Sequence, residues 1–477
     1  MRTHLIALAF VLTVATAAAQ TAPPPVVAPI PASVQANVER LQKAALGSDL
    51  AYDIVEGLTT EIGPRLAGSD AEARARAWAV AMLRRNGFQN VRIEPFTIPY
   101  WERKVERATV ITPNGRQNLV VVALGGSPAT PAAGVEAEVA RFASIAALND
   151  AAPGGVRGKI VFIDETTIRT QDGAGYGAGV AKRGQCGMAA YAKGAVACII
   201  RSVGTHSHRF AHQGGSTTPR PAPATPSAAV SPPDADQLTR LLARGAVRVK
   251  LEIAVETREI AQSGNVVGEI VGRERPEEII VIGGHLDSWD QGTGAIDDGA
   301  GVAITTAAAK LVRDLPRRPR RTIRVVLFGA EETGIHGGTA YARQHASELD
   351  KHIVAAESDF GAREIYRMRS RFGEGALPYA RAIQRALAPL RINAGDNTAN
   401  GGPDVGPLRP LGVPMVELSQ NGWDYFDYHH TPDDTLDKID RAELRQNVAA
   451  YATFIYLAAE MDWDFRKPAD TPAPAAR

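Results

Sequence analysis

The stretch EEIIVIGGHLDSWDQGTGAIDDGAG, residues 277–301, decides how the second half of the chain folds. Its apolar run IIVIGG (279–284) is rich in β-branched residues and predicts a strand buried on both faces. The remainder, HLDSWDQGTGAIDDGAG (285–301), is a Gly-punctuated loop holding one histidine and four aspartates. Carboxylates this close in sequence repel one another, so something positive must hold them. Glycines around Asp297 let the backbone approach closely there.

Working outward, the chain after residue 260 has a β–α rhythm. NVVGEIVG (265–272), EEIIVIGG (277–284), TIRVVLFGA (322–330), HIVAAES (352–358) and VPMVELS (413–419) predict strands. GAGVAITTAAAKLVRDL (299–315), GGTAYARQHASEL (337–349), a segment near 377–389 and DRAELRQNVAAYATFIYLAAEMDW (440–463) predict helices. This alternation implies an α/β fold with a mainly parallel central sheet flanked by helices. Such sheets bind ligands beyond the carboxyl ends of their strands. Three predicted strands lead to His285, to Glu331 and Glu332, and to Asp359; Asp297 opens the helix after the first, and His430 follows VPMVELS. Each alone would pass for a loop residue, but six at one sheet end point to metal. Carboxylate and imidazole donors suit zinc. A pair of divalent cations about 3.5–4 Å apart would offset the carboxylate repulsion, with Asp297 as the bridge.

Before residue 125, 45–63 and 69–88 predict helices, the second capped by Ser69 and stopped by Gly87; VRIEPFTIPY (91–100), ERATVITP (106–113) and QNLVVVALGG (117–126) predict strands. From 126 to 260 the composition shifts to Ala, Gly and Pro, and the stretch reads as a compact insert. It contains the strands GKIVFIDE (158–165) and GAVACIIRSV (194–203) and the helices at 179–194 and 231–245. The parts are then a leader (1–20), a Pro-rich spacer (21–35), a core in two pieces (36–125 and 261–466), the insert, and a flexible tail (467–477).

The leader has Arg2, an apolar run and Ala17-Ala18-Ala19 before a cleavage point, the pattern of a secretory signal. The mature protein is therefore expected to be secreted or periplasmic, with no membrane span. With 53 basic and 52 acidic side chains, net charge +1, there is no basic excess for nucleic acid. Cys186 and Cys198 leave two readings open, a disulfide or two buried thiols. The glycines of GAGYGAG (173–179) lack dinucleotide-binding spacing, and no G-x-S-x-G elbow is present.

Taken together, HLDSWDQGTGAIDDGAG (285–301), LFGAEETG (327–334), AESD (356–359) and YHHTPDDT (428–435) resemble the co-catalytic di-zinc exopeptidases, a family that includes bacterial leucyl aminopeptidases and glutamate carboxypeptidases. The HLDSWD and HH…DT forms are similar to its carboxypeptidase Q branch. The resemblance covers most of the mature chain, and the insert resembles a protease-associated domain. It implies two zinc ions per chain, one held by His285, Asp297 and Asp359, the other by Asp297, Glu332 and His430. It implies Glu331 as general base, Asp287 as a carboxylate orienting His285, and a cis peptide between Asp297 and Asp298. His430 rather than His429 is the ligand by the T-x-x-D-T pattern at 431–435. His206, His208 and His212 belong to a polar loop or a lid, and His212 matches a family H-x-G as a substrate contact. Arg201 or Arg209 is the expected partner of a substrate carboxylate; His336, His345 and His352 are expected on surfaces.

The expected activity is hydrolysis of short peptides by a metal-activated water. Two other classes remain beside it: a glutaminyl cyclase-like zinc acyltransferase, separable by zinc count and a cyclisation assay, and an inactive receptor-like module, disfavoured by the complete ligand set. The sequence leaves oligomeric state open, a homodimer included, and does not set the choice among aminopeptidase, dipeptidase and carboxypeptidase.

Overall fold

The computed structural model describes residues 25–215 and 223–469. The expected leader lies outside them, as do the first spacer residues and most of the expected tail.

The first helix, α1 (Ala32–Leu46), corrects the expectation of a spacer reaching residue 35. Val34, Val38, Leu41 and Ala45 recur at helical spacing and are buried. Gln42 and Asn37 of the same helix donate to Thr453 and Tyr456 of the C-terminal helix. Helix α2 (Leu50–Gly57) widens into a π turn (Leu58–Ile62) that stops at Gly63, where φ is 75°. Helix α3 (Asp70–Arg85) starts as expected, with Ser69 Oγ accepting the Glu72 amide at 3.2 Å.

Two strands, β1 (Gln89–Thr112) and β2 (Arg248–Ile270), run antiparallel over almost their whole length. The sequence suggested two strands where β1 is one. A register shift between Ile98 and Tyr100 absorbs Pro99, which has no amide to donate, so the ladder continues past it. The far end of this ribbon joins Val135–Phe142, followed by Ile160–Ile163, Ala197–Arg201, Ser227–Val230 and Val121–Ala123. Helix Ala181–Ala192 packs on this distal sheet, and a disulfide, Cα–Cα 5.9 Å, ties its Cys186 to Cys198 of strand Ala197–Arg201.

The near end of β2 enters the central sheet. Its strands are β3 (Arg275–His285), β4 (Arg321–Phe328), β5 (His352–Glu357), β6 (Ile365–Arg371) and β7 (Met415–Gln420). Their order is β6-β7-β5-β3-β4-β2. The centre is parallel (β7 with β5, β5 with β3, β3 with β4), and the flanking pairs β6/β7 and β4/β2 are antiparallel. Chain order reverses around β3, which has β4 on one side and β5 on the other; that is where open α/β sheets place ligands.

The continuous apolar run of β3 serves two cores. Ile280 and Ile282 pack with α1, α2, α4 (Ala300–Arg313) and α6 (Arg441–Glu460), whereas Ile279 and Val281 pack with Tyr341 and Ala342 of α5 (His336–Gln344). His345 and His352, expected on surfaces, are buried beneath α5. His345 lies 3.0 Å from Glu94 and beside Glu348, and His352 accepts from Tyr341. Their polar partners come from β1, from α5 and from the turn after it, which local sequence does not reveal. Among the described residues no helix is long and apolar enough to cross a membrane.

Ile282, fully buried between two parallel neighbours, tests the sheet. Ile282→Ala is expected to cost about 2–5 kcal/mol, read as a lowered urea midpoint with unchanged slope.

Candidate metal centre

His285 ends β3. Its Nδ1 lies 2.9 Å from the Asp287 carbonyl, and its amide donates to Asp298 Oδ2 at 3.0 Å. With Nδ1 donating, Nε2 faces Asp297 Oδ1 (3.0 Å) and Asp359 Oδ1 (3.7 Å). Asp297 sits in a π turn (Ala295–Gly299) leading into α4, and its peptide bond to Asp298 is cis. Glu331 and Glu332 follow β4, and Asp359 follows β5. His430 lies after β7 at φ 61°, a left-handed position uncommon for a residue with a Cβ. Its Nε2 is 2.9 Å from Glu332 Oε2 and 3.2 Å from Asp297 Oδ2, while Nδ1 is 3.2 Å from the Gln213 carbonyl. All six sequence candidates therefore meet at one sheet end, with Asp297 shared between two sets.

Several details differ from expectation. Asp287 touches His285 through its backbone carbonyl. Its carboxylate, with Oδ1 3.7 Å from His285 Nδ1, also accepts the amides of Glu331 (3.0 Å) and Glu332 (3.3 Å) and so fixes the turn after β4. Arg201 is committed within the distal sheet to Asp164 (2.6 Å) and Asp236 (2.7 Å), and Arg209 to Asp234 (2.8 Å); neither lines the cavity over the cluster. His212 is buried behind the site. It bonds the His429 carbonyl (2.7 Å) and His206 Nε2 (2.6 Å). His429 also approaches Asp297, at 3.5 Å, and its ring stacks on His430. His430 has the carbonyl-oriented ring of a metal ligand, whereas His429 Nδ1 has no hydrogen-bond partner.

The donor set fits a divalent cation. His285, Asp297 and Asp359 offer ligand atoms within 4.8 Å of one another, as do Asp297, His429 and His430, and Asp297 Oδ2 is buried without a hydrogen-bond partner. The cavity above, about 670 Å³, is lined by Asp297, Glu331, Glu332, Asp359 and His430, and from the distal side by Tyr176 and Arg183.

Comparison with known proteins agrees with this architecture. The model of peptidase family M28 matches residues 265–455. Carboxypeptidase Q of Rattus norvegicus is 34% identical over 435 residues, 90% of this chain and 90% of the relative. The chain belongs to peptidase family M28. It is a metallo-exopeptidase, a hydrolase of peptide bonds. A peptidase M28 precursor from Shewanella amazonensis has a solved structure similar to this one. It is 49% identical with TM-score 0.89, covering 92% of this chain and 99% of that one. A zinc aminopeptidase of Bacillus subtilis, 20% identical with TM-score 0.65 over 88% of this chain and 98% of that one, shares the fold.

Electrostatics in this M28 peptidase follow from burial. Desolvation pushes Asp359 up to about 7 and Glu331 and Asp298 well above the carboxylate range. Burial works against the Asp297 charge as well, but His285 and His430 outweigh it and hold that carboxyl low. Burial likewise opposes the His430 charge, yet Glu332 and Asp297 lift it to about 9. Sequence reading missed Arg183 and Tyr176, which lie in the Gly-rich loop and helix at 173–194 and reach the cavity only through tertiary packing.

The sign of the resulting pH dependence is definite. Asp359 has a folded pKa above its unfolded value, so between about pH 4 and 7 the metal-free fold holds a proton the unfolded chain has lost. Metal-free stability due to this group is full below that window and falls as pH rises through it. A cation needs the ionised form. The gain in Tm on adding a divalent metal is therefore expected to grow from pH 5 to about 8; calorimetry of chelated and loaded protein checks this, and a pH-independent gain contradicts it.

Proposed function

We propose that this M28 peptidase is a secreted or periplasmic zinc exopeptidase acting on short peptides, dipeptides foremost, in a cavity roofed by the insert 126–260. The observation that carries this reading is the convergence of His285, Asp297, Glu332, Asp359 and His430 around one shared carboxylate, with Glu331 in the same cavity. In this reading His285, Asp297 and Asp359 hold one zinc, and Asp297, Glu332 and His430 the other. Bound there, zinc would supply Lewis acidity at the scissile carbonyl and acidify the attacking water.

Glu331 is the general base. Its amide is pinned by Asp287, and burial, against the pull of His285, gives its carboxyl a raised proton affinity. It takes the water proton and returns it to the leaving amine. Arg183 enters the cavity from the insert, 3.5 Å from His430 Nδ1, with a buried Nε that has no hydrogen-bond partner. A guanidinium there suits the free carboxylate of a peptide of two residues. The insert, protease-associated-like by resemblance, limits length by standing over the site. The leader pattern at 1–20 and the Cys186–Cys198 disulfide support an exported, oxidising location.

Glu331→Gln is expected to retain two zincs per chain by elemental analysis and to lose more than the roughly 10²–10⁴-fold of proton transfer alone; near-wild-type turnover removes Glu331 from the role. Arg183→Ala is expected to raise KM for free dipeptides by about 10- to 100-fold, as loss of a charge-assisted hydrogen bond should, and to leave dipeptide amides nearly unchanged. Amino-blocked or internal bonds cleaved as fast as free dipeptides would overturn the exopeptidase specificity.

A further inference from the structure

Arg65 is 0% exposed, yet none of its hydrogen bonds goes to a carboxylate. Its guanidinium donates to four backbone carbonyls: Leu286, Gly63 (3.3 Å), Thr293 (2.6 Å) and Gly294 (2.8 Å). Its own amide donates to Ser288 Oγ at 3.2 Å, and its carbonyl accepts the Ser288 amide at 3.3 Å. Three of the four carbonyls belong to 286–294, the loop between His285 and Asp297. Gly294 is left-handed, and a Cβ there would lie 2.8 Å from Arg65 Nη1 and 2.5 Å from Ser288 Cβ, so the loop is moulded onto the arginine.

Asp434 grips the same loop through its donors. Its Oδ1 accepts the amides of Ala295 (2.8 Å) and Ile296 (2.7 Å), the two residues before Asp297, and its carbonyl accepts the Thr293 amide (2.9 Å). Asp434 lies four residues after His430. One charged side chain thus collects the carbonyls of the loop and the other its amides, and the second ties it to the strip carrying His430.

We infer that Arg65 and Asp434 are a pair of positioning residues that set the geometry of the metal cluster by clamping the 286–296 loop from opposite sides. The inference rests on the ligand reading above. Three of these carbonyl acceptors lie in the 286–294 loop, and holding them fixes the spacing between His285 and Asp297. The relevant consequence is metal affinity, because ligands held in place by outer contacts bind about 10–100-fold tighter than the same ligands released.

The test uses full-length protein, Zn²⁺ alone and a competing chelator, with calorimetry of the metal-free and loaded forms. Arg65→Lys keeps the charge and loses the fork of donors; Asp434→Asn keeps an acceptor and loses the charge. Each is expected to weaken zinc retention by about 10–100-fold and to shrink the gain in Tm on loading, with a non-additive double variant. Wild-type zinc affinity in both variants, with metal-free and loaded Tm lowered equally, would mean the pair only supports the fold and would overturn the inference. Should Arg65→Lys not fold, Asp434→Asn alone decides between the same outcomes. A wild-type chain that retains no zinc in the same assay would instead defeat the ligand reading.

Discussion

A carboxylate taken out of water costs several kcal/mol unless something polar meets it, and this fold withdraws Asp287, Asp297, Asp298, Glu331, Glu332, Asp359 and Asp434 wholly or partly from water at one end of a sheet. They divide by what meets them. Asp287 is met by the amides of Glu331 and Glu332, Asp298 by those of His285 and Gly301, and Asp434 by those of Ala295 and Ile296. These three are satisfied by backbone and act as scaffold. Asp297, Glu332 and Asp359 are left facing imidazoles and one another, which leaves their charge for a cation. Glu331 belongs to neither group: its amide is anchored, and its carboxyl stands in the cavity. The proposed division into frame, ligand and base rests on the same sorting.

The legible part of the site was the part carried by local pattern. The apolar run of β3 and the β–α rhythm after it placed His285, Glu331, Glu332 and Asp359 at adjacent strand ends, because parallel strands align those ends whatever the loops do. What was not legible depended on contacts distant in sequence. Arg65 is more than two hundred residues from the loop it holds, and nothing in EIGPRLAGS (61–69) marks its arginine as different from a surface one. Arg201 was an expected substrate contact and is bound by Asp164 instead, while Arg183, on the helix expected at 179–194 but not among the expected site residues, lines the cavity. Asp287 shows a subtler limit: its place beside His285 was implied by the family resemblance, but which of its oxygens served which neighbour required the fold.

The distal sheet is not merely near the site. Its loop 204–215 is laced to the strip before and at His430. The Thr205 amide donates to the Phe426 carbonyl (3.1 Å) and the Gln213 amide to the His430 carbonyl (3.0 Å), while Arg169, outside the loop, donates to the Thr205 carbonyl (3.1 Å) and pairs with Asp427 (2.7 Å). Within it, the His208 amide donates to His206 Nδ1, which leaves Nε2 to donate to His212, whose Nδ1 then donates to His429. One proton arrangement satisfies the whole series. The His430 ring is thus oriented by the same loop that borders the cavity, and hydrogen bonds tie that loop to the strip 426–430.

The long β1–β2 ribbon has a kinetic side as well. Its pairings join residues about 140–180 positions apart, and contacts of that sequence span slow folding because their closure entropy precedes their reward. During synthesis β1 emerges early, and the edge that β2 takes must wait unpaired until the whole distal sheet has been made and β2 follows it. The central sheet cannot close on that side before then, since β2 is also the neighbour of β4. The distal sheet is thereby the chain's timekeeper: its own short-range pairings, Val135–Phe142 with Ile160–Ile163 and onward, are able to form first and bring the two ends of the ribbon together.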